Sequence, residues 1–327
     1  MSPAPAIPLS IQRLIPLFAW LLLVASTGAT SAAKIENVTF ATNFIAKSHE
    51  SKVQVQAKLY LPDAPKFPLA AMIISPSSGG VLEAREIYYA SELANAGIAA
   101  LVIDSFASRG LTKSSHDQTL LGPWQSGNDA VAGLRWLIAD GRIKPDRIGV
   151  MGVSKGGVVA MRTTFDLWRR AMRYSDVAFA AHVPISPDCG HVFRSVRTNG
   201  APMFLMLGEK DDSVSTPWCV EYAQTLRAAG HTNIEVKVYK GAQHAWEAIG
   251  PKPLFDAKAQ NHSRCRALIE DDGSFTVPDG TKIAAGGWNA WAQQTCRTLG
   301  TYCCGGTAEL KRQATTEMIA FLRKNGF

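Results

Sequence analysis

Beyond residue 50 the chain alternates short apolar runs with stretches of helical period. Lys52–Leu61 places polar and apolar residues on alternate positions, the pattern of a half-buried edge strand. The runs Leu69–Ser75, Ile98–Asp104, Arg147–Val153 and Phe179–Ile185 are nearly continuous in apolar residues, and Met203–Leu207 and Ile234–Tyr239 follow later. Strands of that kind belong to a sheet covered on both faces. Between them, Glu83–Ala96, Ser126–Ala139, Gly156–Arg173 and Pro217–Ala229 carry the helical period, and Ala308–Lys324 reads as a closing helix with Met318, Ile319 and Leu322 on one side. Strand alternating with helix predicts an α/β protein with a doubly wound, mostly parallel sheet and helices on both faces.

Two segments stand outside that rhythm. Arg13, the apolar run Leu14–Ala25 and the small residues Ser26–Ala33 have the order of an export signal over residues 1–33, with cleavage expected after Ala33. The run is shorter than the ~20 residues that span a bilayer, so an uncleaved anchor is the lesser reading and no stable membrane insertion is expected. The second segment, residues 246–306, is far longer than a usual connection. It holds four of the six cysteines and too little apolar content for a core of its own, and is read as a cystine-stapled excursion within one domain over 34–327. Because it follows His244, it is a candidate for the rim of a site.

Composition changes this picture little. The chain has 327 residues, 46% of them hydrophobic and 19% charged, with a formal net charge of +7 that becomes +6 without Arg13. Lys and Arg are scattered among acids with no basic–aromatic stripe, so a nucleic-acid partner is not expected. An even number of cysteines in an exported chain favours disulfides. Cys189 and Cys219 both lie by strand ends and are expected to meet. Cys303 and Cys304 are adjacent, would be strained as partners of each other, and are expected to pair elsewhere. No Cys–His spacing suggests zinc, and neither a metal nor a cofactor is expected.

The chemistry is carried by Gly152-Val153-Ser154-Lys155-Gly156, where a strand runs into Gly-x-Ser-x-Gly and then into a helix. A serine on so sharp a turn needs small neighbours, and the helix start behind it offers N–H groups where an oxyanion forms. Such a nucleophile requires an acid and then a histidine, each past a strand. Asp211 is the expected acid, with Asp212 in reserve and Glu209 a distant third. His244, past Ile234–Tyr239, is the histidine that fits both order and position, whereas His182 inside an apolar run reads as a core residue. The Gly-rich loop Pro76–Gly80 is expected to supply a backbone oxyanion donor from Ser78, or from the neighbouring Gly79, paired with the Lys155 N–H.

Taken together, Leu59–Pro62, Pro76–Gly80, Asp104–Gly110, Gly152–Gly157, Gly208–Asp212 and Gln243–Ala245 resemble the dienelactone hydrolase family of α/β-hydrolases. The resemblance implies the α/β-hydrolase fold with about eight strands, and hydrolysis of a small ester or lactone without a cofactor. It further implies that Arg109 binds a substrate carboxylate; an ordinary ion pair with a nearby acid is the competing reading. Founding members carry a Cys nucleophile and a Glu in the first oxyanion loop, where Ser154 and Ser77 stand here. Serine points to a broader esterase acting through a Ser154–His244–Asp211 triad in the periplasm or outside the cell. An inactive hydrolase fold kept for binding, and a peptidase using the same triad, are the alternative readings.

Overall fold

The alternation of apolar strands and helices folds into an eight-stranded sheet with helices on both faces. The computed structural model describes residues 1–3, 33–46 and 49–327, with the side chains of 43–52 left out. The expected export signal therefore falls almost wholly outside the described residues. Ala33–Phe327 packs as one unit.

In chain order the sheet and its helices are β1 (Lys34–Ala46), β2 (His49–Leu61), β3 (Leu69–Ser75), α1 (Tyr88–Asn95), β4 (Ala99–Asp104), α2 (Pro123–Ala139), β5 (Ile143–Val153), α3 (Lys155–Arg162), α4 (Asp166–Ala171), β6 (His182–Ile185), β7 (His191–Phe193, outside the main sheet), β8 (Met203–Gly208), α5 (Thr216–Ala228) and β9 (Ile234–Tyr239). The spatial order is β1-β2-β4-β3-β5-β6-β8-β9. β1 and β2 run antiparallel, β2 is antiparallel to β4, and every later pairing is parallel. This is the α/β-hydrolase fold.

Burial on both faces explains the continuous apolar runs. All seven residues of β3 are buried. Ala71 and Ile73 join one core with Leu101, Val150, Leu134 and Trp168, while Met72 and Ile74 join the other with Tyr89, Val183, Trp246 and Met318. α2, α3 and α5 cover the first face, and α1 and the closing helix α7 (Ala308–Lys324) cover the second.

Three elements differ from expectation. β1 escaped the sequence reading because its inward row mixes Glu36 and Thr42 with Val38 and Phe40; Glu36 is held there by Arg142 at 3.0 and 3.1 Å. The expected helix 156–173 is broken at Thr163–Phe165, where Phe165 bridges Thr198 and Thr164 Oγ1 bonds Asn199 at 2.6 Å. The expected helix 83–96 opens with a wider π-helical turn, Glu83–Ile87.

The excursion is ordered as strands and one helix: β10 (Leu254–Asn261), β11 (Ala267–Ile269), β12 (Phe275–Thr276), β13 (Lys282–Ile283), α6 (Trp288–Thr295) and β14 (Thr298–Cys303). β11 adds to β7 in parallel, and β10 pairs with β14 antiparallel. Disulfides join Cys189 to Cys219 and Cys265 to Cys296. The expectation of separate partners for Cys303 and Cys304 does not hold. The other four cysteines pair among themselves, and the two remaining thiols face each other.

Candidate active site

Every sequence-predicted catalytic residue sits just past the C-terminal end of a parallel strand, on the edge of an open α/β sheet where ligands bind. Ser154 follows β5, Asp211 follows β8, His244 follows β9, and the Ser77–Gly80 loop follows β3. Since β3, β5, β6, β8 and β9 are successive neighbours, these loops share one side of the molecule.

Ser154 adopts φ 57° and ψ −115° between β5 and α3. A non-glycine residue there is strained and must be held by its surroundings. Its N–H bonds Ile185 O at 2.9 Å, and its carbonyl accepts the Val158 N–H at 2.9 Å, which starts α3. The turn is sharp enough that a Cβ on Gly152 would lie 2.5 Å from the Gly156 carbonyl carbon and 2.6 Å from Ser75 O. A Cβ on Gly156 would run into the same Ser75 oxygen. Those two glycines let β5 turn into α3 against β3.

Asp211 and His244 meet directly. His244 Nδ1 is 2.8 Å from Asp211 Oδ2, and the carboxylate side chain is fully buried. Asp211 Oδ1 accepts the N–H groups of Ser213 and Val214 at 3.0 and 3.1 Å. Burial acts to lower the His244 pKa, but the charge and hydrogen bond of Asp211, with Glu247 adding, raise it above the ordinary histidine value. Among the described residues, neither His244 Nε2 nor Ser154 Oγ has a hydrogen-bond partner, so the dyad is joined and the serine stands unbonded to it.

The reserve acids do other work. Asp212 accepts Thr301 Oγ1–H at 2.7 Å and the Tyr302 N–H at 3.0 Å, while its carbonyl accepts Asn261 Nδ2–H at 2.9 Å. It ties the excursion to the loop that carries Asp211. Glu209 accepts the Gly241 N–H at 2.8 Å and steadies the turn that leads to His244.

In the first loop, Gly80 (φ 83°) closes a turn on Ser77 O at 3.1 Å. The Ser78 carbonyl accepts the Ser114 N–H at 2.7 Å, and among the described residues its own N–H bonds nothing in the protein. Gly79 N–H is turned to Ser77 Oγ at 3.1 Å. Lys155 N–H belongs to the first residue of α3, where no intrahelical acceptor exists. The Lys155 side chain turns inward: Nζ donates to Ser114 Oγ at 2.6 Å and to Leu121 O. Burial brings its pKa down to about 7.

Arg109 is committed to a buried acid. Its guanidinium donates to Asp129 Oδ2 and Oδ1 at 2.8 and 2.9 Å, and to Ser105 O at 2.7 Å. The geometry is that of the competing ion-pair reading. His182 Nδ1–H donates to Ala160 O at 2.8 Å inside the core, and burial lowers its pKa to about 4.

The sequence reading missed a buried ionic cluster behind the first loop. Glu86 accepts the Ser77 N–H at 3.2 Å and the Leu82 N–H at 2.9 Å, and Arg85 Nε donates to it at 2.9 Å while Arg85 Nη2 reaches Ser77 Oγ. Glu247, fully buried, accepts Tyr89 O–H at 3.4 Å, and burial raises its pKa. A Glu in the first loop was the signal to follow. The carboxylate reaches that loop here from the helical turn after it.

A model of the dienelactone hydrolase family matches residues 55–269. Among solved structures, a "putative dienelactone hydrolase" from Klebsiella pneumoniae subsp. pneumoniae MGH 78578 superposes with TM-score 0.54 at 17% identity, covering 89% of this chain and 99% of that one. The dienelactone hydrolase-like promiscuous phosphotriesterase P91 from metagenomic libraries superposes with TM-score 0.55 at 15% identity, covering 90% and 99%. No curated protein sequence matches the chain significantly.

Proposed function

Because the chain belongs to the dienelactone hydrolase family, we propose that it is a serine hydrolase that cleaves a small carboxylic ester or lactone through an acyl-enzyme. The observation that carries the reading is the 2.8 Å pair of His244 Nδ1 and Asp211 Oδ2, set beyond β5, where Ser154 occupies strained backbone.

In this reaction Ser154 Oγ attacks the acyl carbonyl as His244 Nε2 takes its proton. Asp211 keeps the Nδ1–H pointed inward and stabilises the imidazolium. The negative charge that develops on the carbonyl oxygen is met by the N–H groups of Ser78 and Lys155, both without an acceptor among the described residues. His244 returns the proton to the leaving alkoxide, which stays tethered when the substrate is a lactone. A water, deprotonated by His244, then releases the acid from Ser154.

The two disulfides support an oxidising compartment, in keeping with an export signal over residues 1–33. Among the described residues, no helix is long and apolar enough to cross a membrane.

The test is hydrolysis of p-nitrophenyl esters and lactones of graded acyl length by wild type and Ser154→Ala. The variant is expected to stay folded and lose nearly all turnover. Full activity in it would exclude Ser154 as nucleophile.

A further inference from the structure

Cys303 and Cys304 form the two-thiol feature that the hydrolytic reaction does not use. With Cys189–Cys219 and Cys265–Cys296 closed, each has only the other as a partner within the chain. β14 ends at Cys303, and Cys304 takes the left-handed backbone (φ 69°), which brings the two Sγ atoms to 2.8 Å. That is short of a non-bonded sulfur contact and needs only a small further approach to the ~2.05 Å of a disulfide.

The pair lies against the loop of the candidate base. Cys303 bridges His244 in parallel register, and the Cys304 N–H donates to His244 O at 2.8 Å. Gly306 then passes so close to Trp246 that a Cβ would strike its carbonyl. Residues 303–306 thus form a wall behind 244–246. The charged groups facing the sulfurs are Arg85 and His244, which favour a thiolate, and Glu247, which opposes it at Cys304.

We propose that Cys303 and Cys304 are a reversible redox site that closes to a vicinal disulfide and clamps the end of β14 against the His244 loop. The oxidant is a small disulfide of the glutathione class. The Cys304 thiolate attacks one of its sulfurs, forming a mixed disulfide and releasing one thiolate. Cys303 then loses its proton and attacks Cys304 Sγ, forming the Cys303–Cys304 bond and releasing the second. The two cysteines are oxidised, and the reagent is reduced to two thiols. Because the ring closes through a single peptide bond, this disulfide is strained and opens to reductant before the other two.

The test treats the full chain with glutathione disulfide, blocks free thiols with N-ethylmaleimide and digests it without reduction. The peptide holding Cys303 and Cys304 is expected lighter by two hydrogens, carrying neither maleimide nor glutathione. Graded dithiothreitol then opens it first, and the reduced protein, not the oxidised one, takes up phenylarsine oxide. Cys303→Ser, lacking the resolving thiol, should retain one glutathione on Cys304. Two maleimides, or a glutathione adduct that persists in wild type, would overturn the site, and the wild-type arm decides this even if the variant does not fold. The clamp is read separately: hydrogen exchange of the Cys304 N–H should slow several-fold on oxidation, and equal exchange in both forms would refute it. Neither arm uses ester hydrolysis, so both stand apart from the fate of the proposed activity.

Discussion

His244 Nδ1 lies 2.8 Å from Asp211 Oδ2, and the second carboxylate oxygen of Asp211 is occupied by the N–H groups of Ser213 and Val214 at 3.0 and 3.1 Å. The carboxylate is therefore fixed by its own loop before it reaches the imidazole, and it turns the Nε2 edge away from itself. Asp212, one residue on, spends its oxygens on Thr301 and Tyr302. The two adjacent acids should differ sharply in effect. Asp211→Asn is expected to lower kcat on p-nitrophenyl acetate by about 10⁴-fold, the cost of presenting the wrong tautomer. Asp212→Asn should lower thermal stability by loosening the excursion and leave kcat far less affected. Equal kinetic losses would contradict the assignment.

The pH dependence follows from the same pair. Burial lowers the His244 pKa, Asp211 and Glu247 raise it, Arg85 lowers it, and the net displacement is upward. A general base must be neutral, so kcat/KM should fall as pH drops through an apparent pKa above the ordinary ~6.5. For stability the sign is the reverse. The Asp211–His244 contribution is fully present below the unfolded histidine pKa and is lost as pH rises through the raised folded value. Asp211→Asn should move the acidic limb of the rate profile downward, and a wild-type limb at or below the ordinary value would contradict the arrangement.

The turn at Ser154 makes a stability prediction. A methyl on Gly156 collides with the Ser75 carbonyl, which belongs to β3 and has no flexible side chain to yield. Gly156→Ala is expected to cost ~2 kcal/mol or more and to reduce activity together with stability. Thermal melting and ester turnover of the purified variant check both. A variant as stable and active as wild type would show that the turn relaxes freely.

What could be read in advance was whatever rests on local pattern. β3 was legible to the residue because all seven of its residues are buried, and β9 because Ile234, Val236, Val238 and Tyr239 keep an apolar run between turn residues, while Gly152–Gly156 announced a strand-to-helix turn through its small residues. Asp211 and His244 were legible because order and strand ends suffice to find them. β1 was not, since Glu36 interrupts its apolar row and is satisfied by Arg142, which is distant in sequence. The Arg85–Glu86–Glu247 cluster was invisible for the same reason: charges on a helical turn and in a distant loop read as solvated until the fold brings them together. Adjacent Cys303 and Cys304 argued against each other locally, and only the pairing of the other four cysteines reverses that argument.

Arg109 separates a structural from a substrate-binding role. Asp129 is fully buried, and burial raises its pKa despite the paired guanidinium. Removing Arg109 leaves that carboxylate without its partner, a loss of about 3–5 kcal/mol for a buried pair. Arg109→Ala should therefore lower the melting temperature markedly. Where the variant stays folded, it should raise KM no more for a carboxylate-bearing ester than for a neutral one. An unchanged melting temperature with a selective rise in KM for the anionic ester would instead place Arg109 at the substrate.

The central claim, that Ser154 is a nucleophile driven by His244, is tested most directly by peptide mass spectrometry after reaction with a fluorophosphonate probe. The account predicts one phosphonyl adduct, located on Ser154, absent from Ser154→Ala and formed much more slowly in His244→Ala. A folded wild-type protein that takes up no probe at Ser154, or a Ser154→Ala variant labelled as fully as wild type, would contradict it.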